Sequence, residues 1–508
     1  MTTDSRQPHQ YAQDRTGRRI AYGAILTLAF GLILTSVQGC STNPATGNKM
    51  FSVLSEKEEI SLGQTEHPKL VKSFGGIVPD PALEKYVSSV GQLLARTSEL
   101  PNLKFTFTLL NSSVVNAFAL PGGYVYISRG LLAIANSEAE LAGVLAHEIG
   151  HITARHTAQR YSQGVFTNLG VNVIGILTGS RGLAQLVGTG AGLYLRSYSR
   201  THEFEADTLG IRYLKRAGFK PEAMSSFLKS LRAHSKLSAK LKNLAPGKID
   251  EFDILSTHPR TIERVTRAAK NAGGAPASNP IIGREVFLKK ISGMIYGDSP
   301  DQGFVRGREF FHPDLRVRFK APEGFHLANS PTQVMGRGPD GAVLTFDQAS
   351  KPGRREPYDY LINVWAKNTW LADRKKLTIN GMKAAMGSGK ISTKQGQRSV
   401  RLVVVRMDRR NLFRMMFLTK PKAMKRQDPA FIESAKSFAQ ASLDEASKWK
   451  PLRIKLYKVK AGDTVKTLAG KMALEKEKED HFRVINGLGP KDKLTVGKRI
   501  KLVTIGGH

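Results

Sequence analysis

The sequence predicts a multidomain α+β protein, and three observations indicate this fold class. A chain of 508 residues is too long for one ordinary hydrophobic core. Apolar residues recur at helical spacing in the first half of the chain, whereas short β-rich runs dominate after residue 280. The small residues and prolines of segment 271–280 separate the two patterns and cannot form a core themselves. We therefore expect several domains that differ in secondary structure.

The overall composition is that of a globular protein. Hydrophobic residues make up 41% of the chain and charged residues 23%, which excludes a disordered or fibrous protein. Cys40 is the only cysteine, so the chain cannot form an internal disulfide and no bridge framework stabilises it.

The amino terminus has the features of an export signal. Arg15, Arg18 and Arg19 precede an uncharged apolar run at 20–37, and a small residue precedes Cys40. Residues 37–40, Val-Gln-Gly-Cys, resemble the lipobox of bacterial lipoproteins, which implies a signal peptide at 1–39 and acylation of Cys40. Ser41 follows the cysteine, and in that resemblance it points to the outer membrane and the periplasmic face of the envelope. A plain membrane anchor with an incidental cysteine is the alternative.

The chain is strongly basic, with a formal net charge of +35. Residues 351–508 hold 37 Lys and Arg against 14 Asp and Glu, so this stretch alone contributes +23. Such an excess suits anionic surfaces such as lipid headgroups, lipopolysaccharide or wall carboxylates. A basic surface that only keeps the protein soluble explains the charge equally well. Because export is predicted, we expect no nucleic acid partner.

Segment 137–151 predicts a packed helix that presents two histidines on one face. Ser137 and Glu140 have the spacing of a capping box, which starts a helix. Apolar residues then recur at helical spacing as far as Ile152. His147 and His151 are four residues apart and therefore share a helix face, where one zinc ion can accept both imidazoles.

Glu148 completes a His-Glu-x-x-His pattern with these histidines. It lies about 100° of helix rotation from His147, so its carboxylate reaches a metal-bound water without ligating the metal. Zinc with three protein ligands keeps a fourth position for water and lowers the pKa of that water from 15.7 to about 7. We expect Glu148 to accept a proton as the water attacks a peptide carbonyl, and then to deliver it to the leaving amine.

A third ligand should come from another element, and segment 199–207 opens a second helical pattern that ends near Gly218. Glu203 and Asp207 are four residues apart and share a face of that helix. Glu203 can complete the ligand set, while Asp207 can accept a hydrogen bond from a ligand imidazole and fix its tautomer. Solvated helix charges are the alternative for this pair.

Three separated motifs resemble the M48 family of metallopeptidases: segment 138–156, the pattern Glu203-x-x-Ala206-Asp207, and segment 116–127. The resemblance covers residues 52–267 and implies a mainly helical, zincin-type domain at 40–270 with a small sheet. It also implies one zinc ion per chain. The implied metal ligands are His147, His151 and Glu203.

In that family the segment at 116–127 is an edge strand beside the zinc cleft. The resemblance therefore implies that an extended peptide binds there by β-augmentation, which suits an endopeptidase with loose sequence preference. Alternation of Tyr124 and Tyr126 against Val125 and Ile127 indicates a strand independently. The candidate substrate-binding residues are Asn116, Ala117, Phe118 and Ala119.

The loop sequence Ser-Thr-His-Pro at 256–259, with Arg264 nearby, resembles the periplasmic branch of the family. The resemblance implies that His258 can approach the zinc, take the position of the water and hold the enzyme inactive. An oxyanion-stabilising role together with Arg264, or a structural loop histidine, are the alternatives. His156 and His202 lie off the ligand faces and are interpreted as structural. The uncharged segment 162–180 is expected to form a hairpin beside the active site rather than a membrane span.

The last unit, 451–508, resembles LysM, a βααβ module that binds glycan chains of peptidoglycan. Turns at Gly462-Asp463 and at Asn486 support the match, which also includes Thr464. A degenerate copy that only packs on its neighbours is the alternative. The middle segment, 281–450, resembles PsbP/Mog1-like α/β sandwiches and shows no catalytic constellation.

These features predict a zinc-dependent endopeptidase of the bacterial envelope that degrades misfolded or mislocalised envelope proteins and is held near peptidoglycan. One alternative is a lipoprotein that tethers membrane to wall and has little protease activity. A metal-dependent wall hydrolase is a third account, which the M48 resemblance and the peptide-binding strand disfavour.

Overall fold

The computed structural model describes residues 40–163, 198–241, 258, 261–273, 279–350, 352–393 and 396–506. The predicted signal peptide and most of the predicted hairpin at 162–180 lie outside the described residues. Within the described ranges, every helix is too short or too polar to cross a lipid bilayer. The mixed α+β, multidomain fold class is confirmed.

The first unit is mainly helical. Its helices are α1 (Glu56–Ser73), α2 (Pro81–Arg96), α3 (Arg129–Ile134), α4 (Glu138–Thr153), α5 (Arg200–Arg216), α6 (Ala223–Leu241) and α7 (Thr261–Ala272). Its strands are β1 (Cys40–Thr42), β2 (Lys49–Phe51), β3 (Thr106–Leu110), β4 (Ala117–Leu120) and β5 (Tyr124–Ser128). β1 and β2 form an N-terminal hairpin, and the other strands form a sheet in the order β3-β5-β4.

Helix α4 lies at the centre of this unit, with every residue from Ala139 to Thr153 buried. The Ser137 hydroxyl accepts a hydrogen bond from the Glu140 N–H, which caps the helix as predicted. The reciprocal half of the predicted capping box is absent, because the Glu140 carboxylate accepts from the Asn136 N–H and the Ser226 hydroxyl instead. Glu140 therefore ties the start of α4 to α6.

The predicted edge strand at 116–127 is wrong in its extent, because the segment folds into two strands and only its first part, β4, lies at an edge. Gly122 and Gly123 turn the chain at φ values of 80° and 93°. Of the two strands, β4 lies at an edge of the sheet and β5 lies in its centre, between β3 and β4. The alternation along β5 separates two buried faces rather than core from solvent. Tyr126 packs with Leu70 of α1, whereas Val125 and Ile127 face the core that contains α4.

The middle unit is built on a seven-stranded antiparallel sheet in the order β10-β11-β12-β16-β15-β14-β13. These strands are β10 (His326–Asn329), β11 (Gln333–Arg337), β12 (Val343–Gln348), β13 (Leu371–Ile379), β14 (Met382–Thr393), β15 (Gly396–Arg406) and β16 (Leu412–Thr419). A second sheet has the order β17-β9-β8-β7, formed by β7 (Phe304–Arg306), β8 (Glu309–His312), β9 (Val317–Lys320) and β17 (Ala439–Gln440).

Helical segments cover both faces of the large sheet. The helices of this part of the chain are α8 (Arg284–Ile291), α9 (Pro357–Tyr360), α10 (Pro421–Lys436) and α11 (Leu443–Ser447). Phe431 of α10 stacks on Phe417 at a ring-centroid distance of 5.0 Å, whereas Tyr360 of α9 packs with Val404 in a separate cluster. The arrangement is an α/β sandwich; its relation to PsbP or Mog1 remains a prediction.

The last unit runs β18 (Leu452–Lys458), α12 (Val465–Gly470), α13 (Lys478–Ile485) and β19 (Arg499–Ile505), with the two strands antiparallel. It is packed onto the first unit. A short strand, β6 (Ile295–Tyr296), extends its sheet, and Ile454 and Val484 enter the core around α4. Phe287 and Leu288 of α8 join the same core, so α8 packs with the first unit although it follows the linker predicted to start the middle domain.

Candidate metal centre

Helices α4 and α5 pack closely, which brings side chains of both to one point. A Cβ on Gly150 would lie 3.1 Å from the Ala206 carbonyl oxygen, and one on Gly210 would lie 3.1 Å from the backbone nitrogen of His147. The two glycines therefore allow an approach that larger residues would hinder. Ser199 caps α5 by accepting from the His202 N–H, which starts the helix one turn before Glu203.

The donor atoms of two imidazoles and one carboxylate converge there. Nε2 of His147 lies 3.1 Å from Nε2 of His151. Oε1 of Glu203 lies 3.4 Å from Nε2 of His151, and Oε2 of Glu203 lies 3.6 Å from Nε2 of His147. With His258, these residues present ligand atoms that all lie within 4.8 Å of one another, and all four are buried. Two neutral imidazoles and one carboxylate are a donor set that zinc accepts in catalytic sites.

His258, which the sequence analysis assigned to a loop, also lies inside this cluster. Its Nδ1 is 2.9 Å from Oε1 of Glu203 and 3.3 Å from Nε2 of His147. Its Nε2 faces Glu148, 3.6 Å from Oε1. Nε2 of His258 and Oε2 of Glu148 are buried and have no hydrogen-bond partner among the described residues, which fits a site completed by a metal ion and water.

Glu148 is 1% exposed, and burial raises its pKa, partly offset by His258 and His147. A raised pKa suits a carboxylate that must hold a proton during a reaction. The small cavity beside Glu148 has an apolar wall, which lowers the local dielectric and strengthens electrostatic interactions. This wall is formed by Val144 of α4 and by Met224, Phe227, Leu228 and Leu231 of α6.

Asp207 and Arg264 hold the ligands from outside. Oδ1 of Asp207 lies 2.9 Å from Nδ1 of His147, so the carboxylate accepts the imidazole proton and turns Nε2 towards the cluster. Arg264 donates from Nε and Nη2 to the two oxygens of Asp207, each at 2.7 Å, and its Nη1 lies 2.6 Å from Oε2 of Glu203. Burial disfavours the Glu203 carboxylate, yet Arg264 and His258 hold its pKa well below the usual value.

Residues 81–272 match the model of peptidase family M48. They form an M48 peptidase domain. The β-barrel assembly-enhancing protease of Escherichia coli (strain K12) is 30% identical over 269 residues, which cover 50% of this chain and 53% of that protein. The mitochondrial metalloendopeptidase OMA1 of Arabidopsis thaliana is 33% identical over 184 residues, which cover 36% of this chain and 35% of that protein. The chain thus spans about half the length, or less, of these curated relatives.

Two solved structures resemble parts of the chain weakly. The cyanobacterial PsbP of Synechocystis sp. PCC 6803 is 12% identical, with a TM-score of 0.22, and covers 28% of this chain and 98% of that one. The Ran-binding protein Mog1p of Saccharomyces cerevisiae is 10% identical, with a TM-score of 0.21 and the same coverage.

The M48 domain brings together the seven residues that the sequence nominated for metal binding and catalysis, each at most 5% exposed. They are His147, Glu148, His151, Glu203, Asp207, His258 and Arg264. Of the nominated strand residues, Ala117, Phe118 and Ala119 lie in β4 and Asn116 precedes it. β4 packs against α4, and the four residues are 0–7% exposed.

The residues nominated in the last unit mostly support its own fold. Asp463 accepts from the Lys460 N–H and from the Tyr457 hydroxyl. Thr464 caps α12. Asn486 is buried and exchanges hydrogen bonds with the backbone of Lys501. Cys40 begins β1, opposite Phe51.

Sequence reasoning missed the residues on the far side of His151. Helix α4 ends at Thr153, and Arg155 adopts a left-handed φ of 54°, which turns the chain so that His156 returns to His151. Its Nδ1 lies 3.0 Å from Nδ1 of His151. Tyr198 stacks on the His151 ring at a centroid distance of 3.7 Å. A positive φ at an arginine has no clear sequence signal, so helical spacing placed His156 off the ligand face.

Proposed function

We propose that this chain is a zinc-dependent endopeptidase of the bacterial cell envelope. The observation that carries the proposal is the convergence of His147, His151 and Glu203 on one buried point beside Glu148. The M48 domain and relatives named as proteases support the same activity. When bound there, zinc supplies a Lewis acid for the scissile carbonyl and lowers the pKa of a water molecule to about 7.

Residues of the chain transfer the proton and orient the metal ligands. Oε2 of Glu148, which has no protein partner in the described ranges, accepts the proton of the attacking water and returns it to the leaving amine nitrogen. Asp207 fixes the tautomer of His147, and Arg264 fixes Asp207. The buried setting limits competing water around these groups.

His258 acts as an auto-inhibitory residue in this proposal. Its Nδ1 lies among the ligand atoms, where a water or a substrate carbonyl would otherwise sit. The alternative oxyanion role needs a free guanidinium from Arg264, but that group is 3% exposed and already engaged by Asp207 and Glu203. The geometry therefore supports the inhibitory role, and activation requires His258 to move away from the other ligand atoms.

Unfolded or mislocalised envelope proteins are the proposed substrates. β4 is an edge strand of its sheet, and an extended peptide can add to such an edge through backbone hydrogen bonds. Since the residues of β4 are buried, substrate binding also requires displacement of what covers them. The E. coli relative, named for its effect on β-barrel assembly, supports an envelope setting.

The proposed location is the periplasmic side of the outer membrane, with Cys40 acylated and the last unit on peptidoglycan. Incorporation of labelled palmitate into the wild type but not into Cys40→Ser tests the anchor. Pull-down on purified peptidoglycan at high salt, with chitin oligomers as competitors, tests the wall contact. If high salt abolishes the binding and the oligomers do not compete with it, the basic charge of the chain alone explains the wall contact.

A tether with little protease activity is the second candidate, and the position of His258 in the cluster favours it. The deciding experiment is chelator-sensitive cleavage of unfolded casein by the purified full chain and by His258→Ala. Cleavage by either protein that zinc restores after chelation supports the endopeptidase. Zinc binding without cleavage by either protein supports the tether.

A further inference from the structure

A chain of hydrogen bonds leads from the ligand His151 to the N-terminal hairpin. Nδ1 of His151 lies 3.0 Å from Nδ1 of His156. Nε2 of His156 lies 3.2 Å from Oε2 of Glu205, and Oε1 of Glu205 accepts from the Asn43 side-chain amide at 2.9 Å. His156 is fully buried and Asn43 is 4% exposed, whereas the Glu205 side chain that joins them is 22% exposed.

Only one arrangement of protons satisfies the whole chain when His151 ligates a metal through Nε2. The neutral imidazole then carries its proton on Nδ1 and donates it to the unprotonated Nδ1 of His156. His156 in turn carries its proton on Nε2 and donates it to the Glu205 carboxylate. Each group thus fixes the tautomer of the next, as outer carboxylates do for metal-bound histidines.

Neighbouring groups also contact His156 and Asn43. The His156 ring stacks on His202 at a centroid distance of 4.2 Å and an interplanar angle of 15°. The Asn43 side-chain oxygen accepts from the N–H groups of Ala45 and Thr46, and its backbone pairs with Asn48. The amide that meets Glu205 is therefore fixed by the turn between β1 and β2.

We propose that His156, Glu205 and Asn43 are positioning residues that orient the zinc ligand His151 and couple its orientation to docking of the β1–β2 hairpin. This inference rests on the proposed zinc site. The two histidine ligands would then be held differently: His147 directly by the Asp207 carboxylate, and His151 through an intervening imidazole. Loss of the hairpin contact should weaken metal binding although no hairpin residue touches the metal.

Zinc affinity of the purified full chain, measured by competition with a chromophoric chelator, tests the proposal without any protease assay. His156→Phe keeps an aromatic ring for stacking but removes the acceptor for His151, and we expect a loss of about 10–100-fold in affinity. His326→Phe, at an exposed histidine of the middle unit, is the matched control and should bind zinc as the wild type does. Wild-type affinity in His156→Phe overturns the proposal.

Glu205→Gln provides a second route if His156→Phe does not fold. A glutamine has one acceptor oxygen where the carboxylate has two, so it cannot serve both His156 and Asn43, and zinc affinity should fall. The ligand-field absorption of bound Co²⁺ should also change in Glu205→Gln and stay constant in His326→Phe. An unchanged affinity and spectrum in Glu205→Gln contradict the proposal.

A double-mutant cycle tests the contribution of the hairpin. Asn43→Ala should lower zinc affinity in the wild-type background and have no effect in the His156→Phe background, because the connection is already broken. Equal effects in both backgrounds remove Asn43 from the proposal. If the wild type itself binds no zinc, the proposed function fails; if it binds zinc and the variants match it, only the coupling fails.

Discussion

Nδ1 of His147 lies 2.9 Å from Oδ1 of Asp207, and Arg264 donates to both oxygens of that carboxylate. We expect Asp207→Asn to lower zinc affinity about 10–100-fold, because an amide cannot accept from both His147 and the two donors of Arg264. Chelator competition measures the change. Thr208→Ala, on the exposed side of α5, is the control, and equal affinities in the two variants would contradict the role of Asp207.

His258→Ala should raise the rate of casein cleavage, because it removes an imidazole from among the metal-binding atoms. Glu203 keeps its ion pair with Arg264 in this variant, so the ligand set should survive. Initial rates at saturating zinc give the comparison. His326→Ala, an exposed histidine of the middle unit, should match the wild type. A decrease in His258→Ala would instead support the oxyanion role.

Lys501→Met should destabilise the chain by about 1–3 kcal/mol, because it leaves buried acceptors unpaired. Nζ of Lys501 donates to the carbonyl oxygens of Ala133 and Ala135, at 2.9 and 2.6 Å, at the end of α3. Unfolding in urea at neutral pH measures the difference, which should be absent in the exposed Lys498→Met. Equal midpoints for the two variants would show that this contact does not hold the last unit in place.

The same residue predicts a pH dependence. Burial lowers the pKa of Lys501 well below 10.5, partly offset by Glu140. Folding therefore releases a proton at pH values between the folded pKa and 10.5, so the free energy of unfolding should rise with pH in this window. The rise should be smaller in Lys501→Met. Parallel profiles for the two proteins would mean that Lys501 keeps its proton when the chain folds.

The sequence predicted most of the metal centre because that part of the site follows regular helices. A spacing of four residues places His147 and His151 on one face of their helix, and Glu203 and Asp207 on one face of theirs, wherever the two helices lie in the fold. The family resemblance implied that these two helix faces meet and that a loop histidine joins them. Residue spacing alone predicts neither. Once those are given, the buried cluster follows.

Features that depend on a change of chain direction or on tertiary contacts could not be predicted from the sequence. The left-handed turn at Arg155 returns His156 to His151, and the glycine pair at 122–123 converts an expected strand into a hairpin. Lys501 looks like one more surface charge in a basic segment, yet it is fully buried against the first unit. Only the packing of distant segments distinguishes such residues from their neighbours.

The most direct test of the account compares the purified full chain with Glu148→Gln for zinc content and casein cleavage. We predict equal zinc in both proteins, because Glu148 is not a ligand, and chelator-sensitive cleavage by the wild type only. A general base contributes about 10²–10⁴-fold to the rate, so the variant should lose at least that much. Cleavage by Glu148→Gln at the wild-type rate would contradict the proposed activity. So would a failure of both the wild type and His258→Ala to cleave when each is loaded with metal.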